Sequence, residues 1–138
     1  MIDMHAHWRP AELAEAMRSR TTEPCIVRKP DGTEVVKSRA GEEPLSEAFD
    51  SADDYLAMMD RLGVKMSVLS LLGQYCWVES QPLETSIHLC RLVNDSLSKI
   101  CRKHASRFAA YAALPLVDMS AAVDEFERAL ALPGMIGT

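Results

Sequence analysis

The sequence predicts an α/β fold built on a parallel sheet, and three observations carry that prediction. Short β-prone runs alternate with segments of helical periodicity along the whole chain. The run Val64-Lys65-Met66-Ser67-Val68-Leu69-Ser70 is mostly apolar, as befits a strand covered on both faces. The intervening helical segments are long enough to serve as right-handed crossovers between parallel strands. A chain of 138 residues suits one domain, spanning 1–138.

The first strand is Ile2-Asp3-Met4-His5-Ala6-His7, which Trp8-Arg9-Pro10 brings to an end. Side chains two apart on a strand point to the same side. His5 and His7 therefore offer two neutral imidazole nitrogens to one metal ion. A helix follows over 10–20, with Pro10 in its first turn and Leu13, Ala16 and Met17 as its apolar stripe. Two β-prone runs, 25–29 and 33–37, flank Pro30-Asp31-Gly32 and predict a β-hairpin. The polar stretch 39–50 reads as irregular, so 21–50 forms an insert after the first strand.

Ser51 caps the next helix, Asp53 and Asp54 favour the positive end of its dipole, and Gly63 closes it. Tyr55, Leu56, Met58, Met59 and Leu62 supply its buried face. After the strand at 64–70, a loop over 71–81 carries Tyr75 and Trp77, placed to line a pocket mouth. Pro82 starts the longest helix, to about 106, with Leu83, Ile87, Cys90, Val93, Leu97, Ile100 and Cys101 at helical spacing. His88 and His104 on that helix read as surface or cap residues, and Asn94-Asp95 as a structural pair. A third strand over 108–114 stops at Pro115. Asp118 or Ser120 caps a helix through Val123, Phe126, Leu130 and Leu132, and Met135-Ile136-Gly137-Thr138 begins a fourth strand.

Composition narrows the function classes. A net charge of −5 gives no electrostatic reason to expect nucleic acid as a partner. No apolar run reaches eighteen residues, so no membrane partner is expected. Asp3 and His5 stand where a secretory leader needs basic and then apolar residues. Cys25, Cys76, Cys90 and Cys101 lack CxxC spacing and read as reduced thiols of a cytoplasmic protein.

Two architectures fit the alternation: a doubly wound open sheet, or part of a (β/α)₈ barrel. Dinucleotide-binding sheets place glycines after the first strand, whereas this chain has His5-Ala6-His7 there. A whole barrel takes about 250 residues, so four strands make its N-terminal half.

Six segments in register resemble the amidohydrolase-related family, in the branch typified by aminocarboxymuconate semialdehyde decarboxylase. They are Ile2-Asp3-Met4-His5-Ala6-His7 with Pro10, Met59-Asp60-Arg61-Leu62-Gly63-Val64 running into Val68-Leu69-Ser70, Asn94-Asp95, Arg107-Phe108, Leu114-Pro115, and Pro133-Gly134-Met135-Ile136-Gly137-Thr138. The resemblance implies the N-terminal half of a metal-dependent (β/α)₈ TIM barrel, about four parallel strands plus the inserted hairpin. It implies a homo-oligomer, a dimer, and non-oxidative decarboxylation of a small unsaturated or aromatic carboxylic acid. A lactone or amide hydrolase of the same barrel, and a non-catalytic truncated barrel fragment, stay open beside it.

On that resemblance His5 and His7 are ligands of a divalent metal, zinc or else manganese. The family's further ligands, a histidine and an aspartate, and its catalytic histidine come from later strands, so no catalytic residue is assigned here. Trp8 and Arg9 follow the ligands, either to line the pocket mouth and bind substrate or to pack beneath the hairpin. Where the branch carries a substrate-binding arginine this chain has acidic Glu42-Glu43-Pro44, which leaves Arg39, or Lys37, for that task.

Overall fold

The computed structural model describes residues 1–45, 51–73 and 77–138. The chain runs β1 (Ile2–Trp8), α1 (Ala11–Arg18), β2 (Cys25–Arg28), β3 (Glu34–Ser38), β4 (Gly41–Pro44), α2 (Ala52–Leu62), β5 (Met66–Leu71), a 3₁₀ turn (Val78–Ser80), α3 (Leu83–Lys103), β6 (Phe108–Tyr111), α4 (Met119–Leu130) and β7 (Met135–Gly137). Tyr75 and Cys76 lie outside the described residues, as does the end of the insert at 46–50.

The main sheet has the order β1-β5-β6-β7, every neighbouring pair parallel. Each strand lies beside the previous one of this sheet in the chain, with no reversal of direction. A doubly wound sheet must reverse at a switch point, so the sequential order selects the barrel-type winding. Ile2, Met4 and Ile136, on the two terminal strands, are exposed.

The helices form where their ends are satisfied. Ser51 Oγ accepts the Asp54 N–H at 3.3 Å and Gly63 closes α2 at φ +67°. The Val64 N–H then bonds the Met59 carbonyl at 2.8 Å, turning the chain directly into β5. Between the two cap candidates for α4, the structure chooses Asp118, whose carboxylate accepts the Ala121 N–H at 2.8 Å. Arg107 fastens the N-terminal ends of the strands. It donates to Asp60 Oδ1 at 2.7 Å and to the Lys65 carbonyl at 3.0 Å, and so joins two of the segments that carry the family resemblance. The core runs between sheet and helices through Leu13, Met17, Met59, Leu69, Leu97 and Phe108. Among the described residues, no helix is long and apolar enough to cross a membrane.

Three expectations are corrected. Leu62, expected on the buried face of α2, is 63% exposed. The insert is a three-stranded antiparallel sheet, β2-β3-β4, and not a hairpin alone. The extra strand holds Glu42 and Glu43 and is exposed throughout, so it lacks the alternating apolar pattern that marks a half-buried strand. Backbone pairing to β3 makes it, after a tight turn in which Gly41 takes φ +116°. On α4, Val123 and Leu130 are exposed, at 48% and 42%. The inward stripe is Ala122, Glu125 and Ala129, because pairing of Glu125 with α3 turns that side of the helix inward.

Candidate metal and substrate site

The candidate site lies at the C-terminal ends of the parallel strands, where barrel enzymes place their chemistry. The β1–β5 pairing slips between Asp3 and Ala6, where β1 carries one residue more than β5. That is a β-bulge. Asp3 serves it locally, its Oδ1 accepting the His5 N–H at 3.0 Å. His5 lies within the bulge; past it, Ala6 is buried in the core and His7 stands on the opposite face, beside His5. Their rings meet edge to face with centroids 4.9 Å apart.

His7 opens into a cavity of about 300 Å³. Every strand of the main sheet contributes to its wall at or just past its C-terminal end: His7 from β1, Ser70 and Leu71 from β5, Tyr111 from β6, and Thr138 after β7. Ala112, Ala113, Leu114 and Leu116 add an apolar side. Ser70 Oγ lies 3.0 Å from His7 Nδ1 and 3.2 Å from the Ala6 carbonyl oxygen. This contact follows from register, since Ser70 is the β5 partner of His7.

Glu79, on the 3₁₀ turn after β5, completes the wall. The turn is anchored by the fully buried Val78. Burial pushes the Glu79 carboxyl above the ordinary glutamate range, against a smaller opposing pull from the Arg39 charge. The carboxylate makes no ion pair with another described residue.

Of the five residues picked from sequence, the structure brings together His5 and His7. Trp8 is buried against Tyr55, with ring centroids 6.2 Å apart, and Arg9 is buried beside it in sequence; neither lines the cavity. Arg39 sits on the β3–β4 turn with its guanidinium 3.3 Å above the Trp77 ring, over a separate cleft with Pro24 and Gln81. Sequence reading passed over Glu79, Tyr111 and Thr138. Tyr111 had one signal, an aromatic residue at the end of a barrel strand. Glu79 had none, because nothing local shows that the turn folds back over the strand ends.

The fit to a metal is that of a half-shell. Two adjacent imidazoles supply nitrogen donors, one already oriented through its Nδ1, and among the described residues no third His, Cys, Asp or Glu joins them. A catalytic zinc usually takes three protein ligands.

Four parallel strands wound in sequence, with paired imidazoles at the rim of the first, form part of a (β/α)₈-type barrel. The comparisons with known proteins agree. Gamma-resorcylate decarboxylase of Rhizobium sp. (strain MTP-10005) is 37% identical over 90 residues, which cover 64% of this chain and 27% of that enzyme. The 2,6-dihydroxybenzoate decarboxylase from Rhizobium superposes with a TM-score of 0.68 at 26% identity, over 99% of this chain and 36% of that one. A dihydroxybenzoic acid decarboxylase from Polaromonas sp. JS666, solved with bound manganese and the inhibitor 2-nitroresorcinol, superposes with a TM-score of 0.69 at 23% identity, over 99% and 36%. No family model matches the chain. These relatives are decarboxylases of aromatic acids by name, a putative amidohydrolase from Staphylococcus aureus shares the fold, and the chain spans about a quarter of the curated relatives it matches.

Proposed function

We propose that this chain forms the first-strand side of the metal centre, and part of the substrate cavity, of a divalent-metal-dependent decarboxylase acting on a small aromatic carboxylic acid. The observation that carries the reading is the His5–His7 pair at the rim of β1, with His7 opening into a cavity of about 300 Å³. Manganese in a neighbour of the same fold supports a divalent ion, and nitrogen donors suit zinc as well. Two imidazoles leave the shell incomplete, and a catalytic ion needs at least one further protein ligand.

His5 and His7 would hold a divalent ion there, which would supply positive charge to offset the negative charge that develops as the carbon–carbon bond breaks. Tyr111 and Thr138 bring hydroxyls to the wall and orient polar substituents. Leu71, Leu114 and Leu116 cover the ring and exclude water. Carbon dioxide leaves and a proton takes its place on the ring carbon.

Metal uptake by the wild-type chain and by His5→Ala and His7→Ala variants tests the reading, with carbon dioxide release from 2,6-dihydroxybenzoate followed on the metal-loaded protein. Each substitution is expected to lower manganese and zinc uptake. Uptake indifferent to both would overturn the proposal.

A further inference from the structure

We propose that Ser70 is a positioning residue that holds His7 in its Nδ1–H tautomer and leaves Nε2 as the bare nitrogen that meets the metal. The inference rests on the metal-centre reading above and adds a residue to it. Ser70 Oγ has two neighbours, the Ala6 carbonyl oxygen at 3.2 Å and His7 Nδ1 at 3.0 Å. The carbonyl can only accept, whereas Nδ1 donates or accepts according to the tautomer. The serine hydroxyl owns one proton. Both contacts are hydrogen bonds in one arrangement only: the hydroxyl donates to Ala6, and the Nδ1–H of His7 donates to the Oγ lone pair. In the reverse arrangement the hydroxyl proton turns to Nδ1, and the Ala6 carbonyl is left facing an oxygen lone pair.

Strand register sets the geometry of this trio. Ser70 and His7 are register partners on adjacent parallel strands, so their side chains stand on one face of the sheet. Ala6 is buried, and Ser70 and His7 line the same cavity. Free neutral histidine in water favours the Nε2–H form, which blocks the nitrogen farther from the backbone. A serine that accepts from Nδ1 reverses that preference before any metal arrives. Groups that accept from the second nitrogen of a metal-bound histidine act in this way, and removing them typically costs about tenfold to a hundredfold in metal affinity.

The test uses the 138-residue chain without metal, ¹⁵N-labelled at histidine, at a pH where the ring is neutral. Long-range proton–nitrogen spectra are expected to show His7 protonated at Nδ1 and bare at Nε2. Ser70→Ala is expected to move His7 toward the Nε2–H form and to weaken manganese binding by about tenfold or more. Ser70→Thr, which keeps the hydroxyl and suits a strand, retains the wild-type tautomer and affinity. An Nε2–H ring in the wild type, or wild-type affinity in a folded Ser70→Ala variant, overturns the assignment. If neither protein takes up manganese while the tautomers behave as expected, the metal centre is the reading that falls, and the hold of Ser70 on the His7 ring stands.

Discussion

Asn94 Nδ2 donates to Glu125 Oε1 at 2.7 Å, joining α3 to α4 through two buried polar side chains. The same amide donates to the Ala113 carbonyl at 2.9 Å, and its Oδ1 accepts the Ala113 N–H at 2.8 Å. Asn94 thus grips the chain just past β6, where Ala112, Ala113 and Leu114 form one wall of the His7 cavity. Arg91 and Arg128 close the network on Glu125 Oε2, at 3.1 Å and 2.8 Å. Asn94→Ala removes one partner of a buried carboxylate and leaves a strand-end N–H and carbonyl unpaired. The expected loss is about 2–4 kcal/mol of unfolding free energy, read from urea denaturation.

That network also sets a pH dependence. Burial alone would raise the Glu125 carboxyl, but hydrogen bonds from Arg128, Asn94 and Arg91 outweigh it and hold the group below the ordinary glutamate range. A depressed carboxylate contributes stability that is fully present above its unfolded value, about 4.3, and is lost as pH falls through the lower folded value. Melting temperature followed from neutral pH downward is expected to fall in that acidic window. Glu125→Gln should lose stability at neutral pH and show a shallower acid decline. An acid decline as steep as that of the wild type would remove Glu125 as its source.

Among Gly32, Gly41, Gly63, Gly134 and Gly137, Gly134 leaves the least room for a side chain. It takes φ +80°, and a Cβ built there would overlap the Cβ of Cys101 on α3. Gly134→Ala therefore meets both backbone strain and overpacking, and should cost about 2 kcal/mol or more. Gly63→Ala meets only the strain, since Gly63 sits at φ +67° facing open space, and should cost about 1 kcal/mol. Thermal melts of the two variants are expected to rank in that order.

Burial lifts the Cys90 thiol to about 12 and the Cys101 thiol to about 11. The thiolate is the reactive form, so both should resist a disulfide-exchange reagent at neutral pH until the protein is denatured. Rapid labelling of either in the native state would show that α3 does not stay packed against the sheet.

What the sequence revealed about this molecule, and what it hid, divides along physical lines. Ser51, Gly63, Pro82 and the 3.6-residue stripes are local signals, and the helices stand where those signals put them. His5 and His7 were legible because strand alternation alone places them together. Arg107 was legible only as a fragment of a resemblance and Asn94 as a structural residue of its helix; their partners lie far along the chain, and the fold explains them as clamps at opposite ends of the strands. β4 was hidden because an exposed strand needs no apolar alternation. The inward side of α4 was hidden because Glu125, a charged residue, is its buried centre and no sequence shows the two arginines and the asparagine waiting for it. Glu79 was hidden because a turn of three residues decides which way it faces.

Glu79 gives the last prediction. It contributes an acidic group to a cavity proposed to receive a carboxylate, and like charges at close range oppose binding. Burial, opposed in part by the Arg39 charge, already raises its carboxyl, so a bound anion should raise it further. Glu79→Gln keeps the shape and removes the charge. With the metal-loaded protein, its affinity for 2,6-dihydroxybenzoate is expected to exceed that of the wild type by roughly three- to tenfold at a pH where Glu79 is ionised, about 0.7–1.4 kcal/mol. The gain should vanish as the pH falls and the wild-type carboxyl takes up its proton, because both proteins then present a neutral group. Arg39→Ala should act in the opposite direction on the same residue. Without that positive charge the Glu79 carboxyl rises further, and the pH at which the two proteins converge moves up. Titration of ligand binding by calorimetry across the acidic range reads both effects. Equal affinities for wild type and Glu79→Gln at every pH would place the ligand away from this wall.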